Sequence, residues 1–264
     1  MKIVVLVKHV PDATADRTFD PSDNTTDRTG VDGLLSELDE YAVEEALKIV
    51  DAGHDSGGVE VIAMTMGPDG ASDAVKKALQ MGADSGVHVL DDALHGSDAL
   101  ATARVLAAAV GTVGEVDLVL TGMASTDGSM SVVPAMLAEY LDLPHVGFVG
   151  ELTVSESSVT CRRDGDVASQ TVEAALPAIV SVTDQINEPR YPSFKGIMAA
   201  KKKPVQTWSL ADLGVDAGAV GLDAALSVVR EVVKRPERSQ GEVVTDEGDG
   251  GVRLAEFLAA RKFV

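Results

Sequence analysis

The feature that most constrains the fold of this chain is a series of short, continuous apolar runs separated by longer amphipathic segments. The apolar runs occupy residues 2–8, 59–65, 86–90 and 116–122. They lack the alternating polar residues of a half-exposed strand, so each run predicts a strand that is buried on both faces. Such strands are typical of parallel sheets.

The segments between these runs carry apolar residues three or four positions apart, which is the spacing of one helix face. Helices are predicted at residues 38–50, 71–81, 98–110 and 133–141. Alternating strands and helices with right-handed crossovers predict a doubly wound, mostly parallel α/β sheet of the Rossmann-like kind. In such sheets, ligands bind beyond the carboxyl ends of the strands.

The periodicity changes between His145 and Asp184, where apolar and polar residues alternate in SSVTCRRDG and ASQTVEAAL. That alternation predicts antiparallel strands added to the sheet. Residues 178–184, AIVSVTD, are again mostly apolar and predict one more buried strand.

The sequence beyond Pro204 is polar and too short to form a core alone. It predicts a helix at 222–234, an acidic, glycine-rich stretch at 240–251 and a final helix at 252–261. We therefore expect three parts: residues 1–186 as a nucleotide-binding domain, residues 187–204 as a recognition loop and basic turn of that domain, and residues 205–264 as a C-terminal arm.

Composition excludes several classes of function. The formal net charge is −20, with 42 acidic against 22 basic residues, which argues against a nucleic-acid partner because phosphate contacts draw on Lys and Arg. Such an acidic surface suits a salt-rich cytoplasm. The single cysteine, Cys161, excludes an internal disulfide.

The five histidines, His54 among them, lack the spacing of a metal site on a helix, and we expect no metal. The first apolar run is broken by Lys8 and Pro11 and is too short for a signal peptide or a membrane span. We therefore expect a cytoplasmic protein without membrane insertion.

Residues 187–204, NEPRYPSFKGIMAAKKKP, combine turn-forming residues with apolar ones. Exposing Tyr191, Phe194, Ile197 and Met198 together is unfavourable unless something covers them. The segment predicts either a partner-binding loop or a loop folded back on its own core. The lysines at 201–203 predict a specific contact or, alternatively, a solvated helix end.

Residues 122–131, GMASTDGSMS, follow a predicted strand and precede a predicted helix. Their backbone N–H groups and hydroxyls can receive a phosphate at the helix start, although the same residue types also serve as plain helix caps. Lys8 at the end of the first strand could face that phosphate or could simply leave the sheet. Neither GxGxxG nor GxxxxGK[ST] occurs, and no GxSxG elbow surrounds a serine, so we expect no enzyme active site.

Five blocks in this order resemble the beta-subunit family of electron-transfer flavoproteins over essentially the whole chain. They are VKHVPD at 7–12, DEYAVEEAL at 39–47, ALQMGAD at 78–84, VDLVLTG at 116–122 and NEPRYPSFKGIMAAKKKP at 187–204. The resemblance implies a heterodimer with an alpha subunit that holds most of a redox FAD. It also implies an adenine nucleotide in the beta subunit, which is AMP in simple carriers and a second FAD in electron-bifurcating members.

The resemblance also implies site residues. The cofactor-binding positions that match are Leu6, Val7, Ser36, Glu37, Leu38, Asp39, Met66, Gly122, Ser125, Thr126, Asp127, Gly128, Ser129, Met130, Ser131 and Val132. The positions that match the family's dehydrogenase-recognition loop are Arg190, Tyr191, Pro192, Ser193, Phe194, Lys195, Gly196, Ile197 and Met198. Phe194 stands where a leucine-like side chain usually inserts into the partner. An acidic residue near Asp164 would pair with an alpha-subunit arginine.

The implied role is transfer of electrons from acyl-CoA-type dehydrogenases to a flavoprotein-quinone oxidoreductase, with no bond chemistry in this chain. Two departures lie in the nucleotide pocket: Met130 to Val133 replace a run containing glutamine, and Ser36-Glu37 replace Asn-Pro. They leave AMP and a second FAD both open. A stress-type ATP-binding protein has the same strand and helix layout, but it lacks a loop like 187–204.

Overall fold

The computed structural model describes residues 1–53, 58–238, 241 and 243–264. His54, and Gln240 and Glu242 of the acidic stretch, lie outside them. The chain divides into two compact units, Met1–Arg230 and Glu231–Val264. Across the described residues, no helix is both long and apolar enough to cross a membrane.

The strands of the first unit are β1 (Lys2–Leu6), β2 (His9–Pro11), β3 (Gly33–Leu35), β4 (Glu60–Met66), β5 (Ser85–Val89), β6 (Leu118–Gly122), β7 (His145–Val149), β8 (Glu151–Val154), β9 (Ser158–Asp164), β10 (Ser169–Ala175), β11 (Ala178–Val182) and β12 (Val205–Trp208). Its helices are α1 (Glu37–Asp51), α2 (Ser72–Met81), α3 (Ala99–Val113), α4 (Val133–Leu141), α5 (Phe194–Ala200) and α6 (Gly221–Ala224). The second unit contains α7 (Gly250–Ala260).

The predicted parallel sheet is present. Seven strands lie in the order β12-β5-β4-β1-β6-β11-β7, and every neighbouring pair is parallel. The chain builds outward from β1 through β4 to β5 and then returns to the other side of β1 for β6. This reversal beside β1 is a topological switch point, where doubly wound sheets open a crevice at the carboxyl ends of the strands.

The core lies on both faces of the sheet. In β1, Ile3 and Val5 point toward the face that is covered by α1 and α2, and Val4 points toward the face that is covered by α3 and α4. Because both faces of β1 are covered, its apolar run is continuous rather than alternating.

The antiparallel strands predicted after His145 are present, but their arrangement differs from a simple extension of the sheet. β8, β9 and β10 form a separate three-stranded sheet, whereas β7 joins the main sheet parallel to β11. In β9, Val159 and Cys161 are buried in the core, and Thr160 between them and Arg162 after them are exposed. That burial pattern explains the period-two signal in the sequence.

The region after Pro204 contains two departures from expectation. Residues 205–208 form β12, an edge strand paired with β5, so the first unit continues beyond residue 204. The helix predicted at 222–234 is wrong beyond Ala224. There the backbone N–H groups of Leu226 and Ser227 donate to the Asp98 carboxylate at 2.9 and 3.2 Å instead of to helical carbonyls. The final helix is confirmed as α7.

Candidate functional site

The carboxyl ends of β1, β4 and β6 meet at one edge of the sheet, beside the switch point. Leu6 pairs with Met64 of β4, and Val5 pairs with Leu120 of β6. The segments that follow these strands therefore start close together, as the sequence predicted.

Asp39, in the first turn of α1, connects the segments that meet at this edge of the sheet. Its buried carboxylate accepts a hydrogen bond from the Lys8 N–H at 2.8 Å, and the Ser36 N–H donates to the Lys8 carbonyl at 2.8 Å. A Cβ on Gly122 would lie 2.6 Å from Asp39 Oδ1, so only glycine allows β6 to approach α1 this closely. The start of α1 is thus fixed against both β1 and β6.

The electrostatics of Asp39 follow from its burial. Loss of solvent raises the pKa of this carboxyl to about 7, against the lowering effects of hydrogen bonds from Lys8 and Gly122 and of the Lys8 ammonium. A group that titrates near neutrality thus lies directly beneath the candidate site.

We define residues 122–132, between β6 and α4, as the nucleotide loop. The loop turns on itself: Ser129 N–H donates to the Ser125 carbonyl at 3.0 Å, and Gly128 N–H donates to the Ser125 hydroxyl at 3.3 Å. Thr126 N–H reaches the buried Ser36 hydroxyl at 3.4 Å, which joins the loop to the start of α1. Ser129 and Ser131 adopt positive φ angles of 52° and 58°.

The alternative that the polar residues of this loop are plain helix caps is wrong for α4. Val132 occupies the N-cap position and makes no side-chain capping bond, and a proline stands in the first turn. Proline lacks a backbone N–H and therefore suits a helix start without a side-chain cap. The Asp127 carboxylate instead pairs with Lys8 and Arg28, and the Ser125 hydroxyl accepts from the Gly128 N–H.

Asp127 is the centre of a charged cluster. Its carboxylate is 4% exposed and lies 2.8 Å from Lys8 Nζ and 3.2 Å from Arg28 Nη2. Arg17 donates to the carbonyls of Thr126 and Asp127 at 2.5 and 3.2 Å. Burial alone would raise the pKa of Asp127, but Lys8, the Ser125 hydroxyl and Arg28 outweigh it and hold that pKa well below its usual range.

Lys8 lies here, in line with one of the two alternatives for it, whereas Arg17 and Arg28 were not expected. Both arginines belong to the long segment between β2 and β3, which carries no motif that shows where it folds. Lys8 and Arg28 thus pair with the ionised Asp127 carboxylate, and Arg17 places a third cation on the carbonyls of the loop. Three cations gathered at one edge of a protein of net charge −20 favour an anion there.

The other expected cofactor residues lie around the same edge. Glu37 and Met130 are exposed, whereas Leu38, Met66, Ser131 and Val132 are partly buried and Leu6 and Val7 are buried. Among the described residues, no group of three or more histidine, cysteine or acidic side chains could hold a metal ion.

We define residues 187–203 as the recognition segment, which contains α5. Tyr191 is 93% exposed and Phe194 is 80% exposed, and Met198 lies on the same helix as Phe194 with half its surface in solvent. The alternative of a loop folded back on the core is therefore wrong for these side chains. The turn expected from the prolines is followed by a short helix, whose N-cap Ser193 accepts from Gly196 N–H.

The lysine triplet does not act as one patch. Lys203 Nζ donates to the carbonyls of Leu79, Gly82 and Ala83 at 3.2, 2.9 and 2.5 Å, so it caps the carboxyl end of α2. Lys201 and Lys202 are exposed. Lys203 therefore lies at a helix end, that of α2. Its ammonium is partly buried there, whereas the helix-end alternative expected a solvated one.

Asp164 lies at the end of β9. Its carboxylate accepts from Arg162 Nε at 3.1 Å and from the Ser169 hydroxyl. Arg162 also bonds Glu151 at 2.6 Å, so this exposed cluster is paired within the chain.

Comparison with known proteins agrees with this architecture. The family model described as the electron transfer flavoprotein domain matches residues 23–213. A protein of Mycobacterium bovis named electron transfer flavoprotein subunit beta is 46% identical over 264 residues, which cover 99% of each chain. One of the same name in Mycobacterium leprae is 47% identical over 263 residues, with the same coverage.

A more distant relative, the caffeyl-CoA reductase-Etf complex subunit CarD of Acetobacterium woodii, is 36% identical over 245 residues, covering 93% of this chain and 92% of its own. The similarity spans both the nucleotide loop and the recognition segment. The chain therefore belongs to the electron transfer flavoprotein family, as one of its beta subunits.

Proposed function

We propose that this chain is the beta subunit of a heterodimeric electron carrier. In this role it holds AMP at the carboxyl edge of β1, β4 and β6, and it completes with an alpha subunit the surroundings of an FAD. The heterodimer takes electrons from acyl-CoA-type dehydrogenases and delivers them to a flavoprotein-quinone oxidoreductase. The observation that carries the proposal is the recognition segment, which is bound to the domain through Arg190 and Lys203 and exposes Tyr191 before α5 and Phe194 at its start.

The residues at the sheet edge fit a nucleotide phosphate. Lys8, Arg17 and Arg28 supply three positive charges beside Asp127, whose ionised carboxylate pairs with Lys8 and Arg28. The nucleotide loop adds backbone N–H groups close to a helix start, where anions are stabilised. AMP carries an adenosine group and one phosphate, and it would join β1, the start of α1 and the nucleotide loop.

The bound FAD supplies the redox chemistry, because no amino-acid side chain at this edge carries electrons at useful potentials. The residues of this chain position partners and exclude water. Within the proposed heterodimer they hold the nucleotide, shape one wall of the flavin site and present the docking surface. No proton transfer or covalent step in this chain is part of the proposal.

The second unit supports an alpha-subunit interface. In Glu231–Val264, the apolar side chains of Val252, Leu254 and Phe263 are more than half exposed. Apolar groups gathered on a short segment are unfavourable in water unless a partner covers them. We assign this segment to contact with the alpha subunit.

The recognition segment would serve the electron donors. Aromatic and methionine side chains are enriched where proteins bind one another, and a single large anchor often dominates the binding energy. Phe194, with Tyr191 and Met198 beside it, fits that description. The acidic surface of the rest of the chain would tune encounter rates with partners.

Anaerobic rapid mixing tests this role. The chain is co-expressed with an alpha subunit of the same family, and the purified heterodimer is mixed with an acyl-CoA dehydrogenase and its substrate while flavin absorbance is followed. We expect bleaching only when dehydrogenase and substrate are both present. We also expect Phe194→Ala to slow it at low heterodimer concentration.

Two results would contradict the proposal. A colourless chain that binds no alpha subunit and retains ATP would indicate a nucleotide-binding protein without a redox role. The second result is a yellow heterodimer that another donor bleaches but no acyl-CoA dehydrogenase does. It would support the carrier role and contradict the proposed class of donor.

A further inference from the structure

The recognition segment contains two interleaved sets of residues that face in opposite directions. Tyr191, Phe194 and Met198 face solvent, whereas Asn187 and Arg190 face α1. We propose that Glu44 of α1 is the positioning residue for dehydrogenase docking, and that Arg190 is its internal anchor rather than a contact of the partner. This inference rests on the proposed function, because docking is what it explains.

The contact between Glu44 and Arg190 is bidentate. Arg190 Nε lies 2.7 Å from Glu44 Oε2, and Arg190 Nη2 lies 2.9 Å from Oε1. The backbone N–H of Arg190 also donates to Oε2 at 3.1 Å. One carboxylate thus fixes both the side chain and the main chain of the residue that immediately precedes Tyr191.

Burial makes this contact stronger than a surface ion pair. The Glu44 side chain is only 8% exposed, and paired oxygens facing a guanidinium hold one geometry. Asp51 adds a bond to Arg190 Nη2 at 2.8 Å, but its own side chain is 63% exposed. Exposed pairs contribute little, so Glu44 supplies most of the positional restraint.

A second contact to α1 lies just before Arg190. Asn187 Nδ2 donates to the Tyr41 carbonyl and to Glu45 Oε2, each at 3.0 Å. Tyr41, Glu44 and Glu45 are three and four positions apart and therefore share one face of α1. The segment enters along that face with both its main chain and its side chains held.

The far end of the segment is held by α2. A Cβ on Gly196 would lie 2.6 Å from the Gln80 carbonyl, which shows how closely α5 approaches the end of α2. Lys203 then caps the same helix end. Tyr191 and Phe194 lie between two fixed points, so their position is set before a partner arrives.

Such preorganisation should affect docking more than electron transfer. A segment that is free in solution must be ordered on binding, and this cost weakens affinity without changing the contacts in the complex. Loss of the Glu44 contact should therefore raise the KM for the heterodimer and leave kcat unchanged.

The test compares Glu44→Gln, Arg190→Gln and the double variant in the heterodimer, with an acyl-CoA dehydrogenase as donor. We expect each single variant to raise KM by about tenfold, which corresponds to about 1.4 kcal/mol of ordering cost. The double variant should be no worse than either single one, because both remove the same contact. Asp73→Asn is the control, since it breaks an exposed Asp–Lys pair of 2.7 Å on α2 and should leave KM unchanged.

Arg190→Lys separates positioning from charge. It keeps the positive charge but cannot form the bidentate contact, so we expect a KM increase close to that of Arg190→Gln. An unchanged KM in Arg190→Lys, or a raised KM in Arg190→Gln with a normal KM in Glu44→Gln, would overturn the proposal in favour of direct contact between Arg190 and the partner.

Hydrogen exchange gives a readout that does not depend on electron transfer. Glu44→Gln should speed amide exchange at Arg190 and its neighbours by more than in the rest of the chain, while flavin content stays at the wild-type value. Unchanged exchange there would overturn the positioning role. If the wild-type heterodimer accepts no electrons from the dehydrogenase while exchange still accelerates in the variant, the proposed function fails and Glu44 still positions the segment.

Discussion

Asp39 is a buried carboxyl whose ionisation should be visible in the stability of the protein. Burial raises its pKa to about 7 from an ordinary value of 3.8. Between these two values the folded chain holds a proton that the unfolded chain has lost. Stability contributed by this group should therefore fall as pH rises through that window, by up to about 1.4 kcal/mol per pH unit.

Asp39→Asn tests this expectation, because an amide does not titrate. The free energy of unfolding, measured with urea from pH 4 to pH 8, should decline more steeply with pH in the wild type than in the variant. Parallel curves would show that Asp39 keeps an ordinary pKa despite its burial. Asp127 and the other carboxylates whose pKa is lowered titrate at lower pH than Asp39. They are present in the wild type and in the variant, so they affect both curves alike.

Gly122 is the second residue on which the sheet edge depends. Gly122→Ala would place a methyl group 2.6 Å from both Asp39 Oδ1 and the Leu38 carbonyl, so we expect a loss of about 2 kcal/mol in unfolding free energy. Gly111→Ala in α3 is the matched control, because nothing lies within 4 Å of its Cβ position. That change should stabilise the chain by about 1 kcal/mol. Equal effects at both glycines in urea unfolding would contradict the close approach.

At the scale of elements, Lys203 joins the recognition segment to α2. Lys203→Ala removes three hydrogen bonds to the carboxyl end of that helix and should lower unfolding free energy by about 2 kcal/mol. Lys202→Ala removes an exposed neighbour with the same charge and should change the unfolding free energy by less than about 0.5 kcal/mol. Similar losses in the two variants would indicate a general charge effect instead of a helix cap.

The elements that the sequence predicted well are those whose burial imposes a pattern. β1 and β6 are covered on both faces and appear as continuous apolar runs, and β9 alternates because only one of its faces is buried. The helix expected at 222–234 failed for a tertiary reason. The carboxylate of Asp98, distant in sequence, takes the N–H groups that would continue the helix.

The candidate site was predictable to the same extent. The strand ends and the nucleotide loop followed from the order of strands and helices, whereas the place of Lys8 after β1 left two alternatives for its side chain. Arg17 and Arg28 could not be predicted, because their approach to Asp127 depends on the path of an irregular segment. The inward direction of Arg190 was equally hidden, since a sequence does not show which side of a loop faces the domain.

At the scale of the whole molecule, we expect the two compact units to have different functions. A chain that ends at Arg230 retains the full sheet and both core faces, so its urea midpoint should match that of the intact chain. It should bind the alpha subunit at least about tenfold more weakly, because the apolar side chains of α7 are gone. Undiminished alpha binding, measured by calorimetry, would remove the second unit from the interface.

The central claim is that this chain holds an adenine nucleotide at the switch point and shares one FAD with an alpha subunit. The most direct measurement is the cofactor content of the purified heterodimer, with flavin counted by absorbance and released nucleotides identified by mass spectrometry. We expect one FAD and one AMP per heterodimer. Two FAD without AMP would contradict the assignment of AMP to this chain, and a preparation without flavin would contradict the account as a whole.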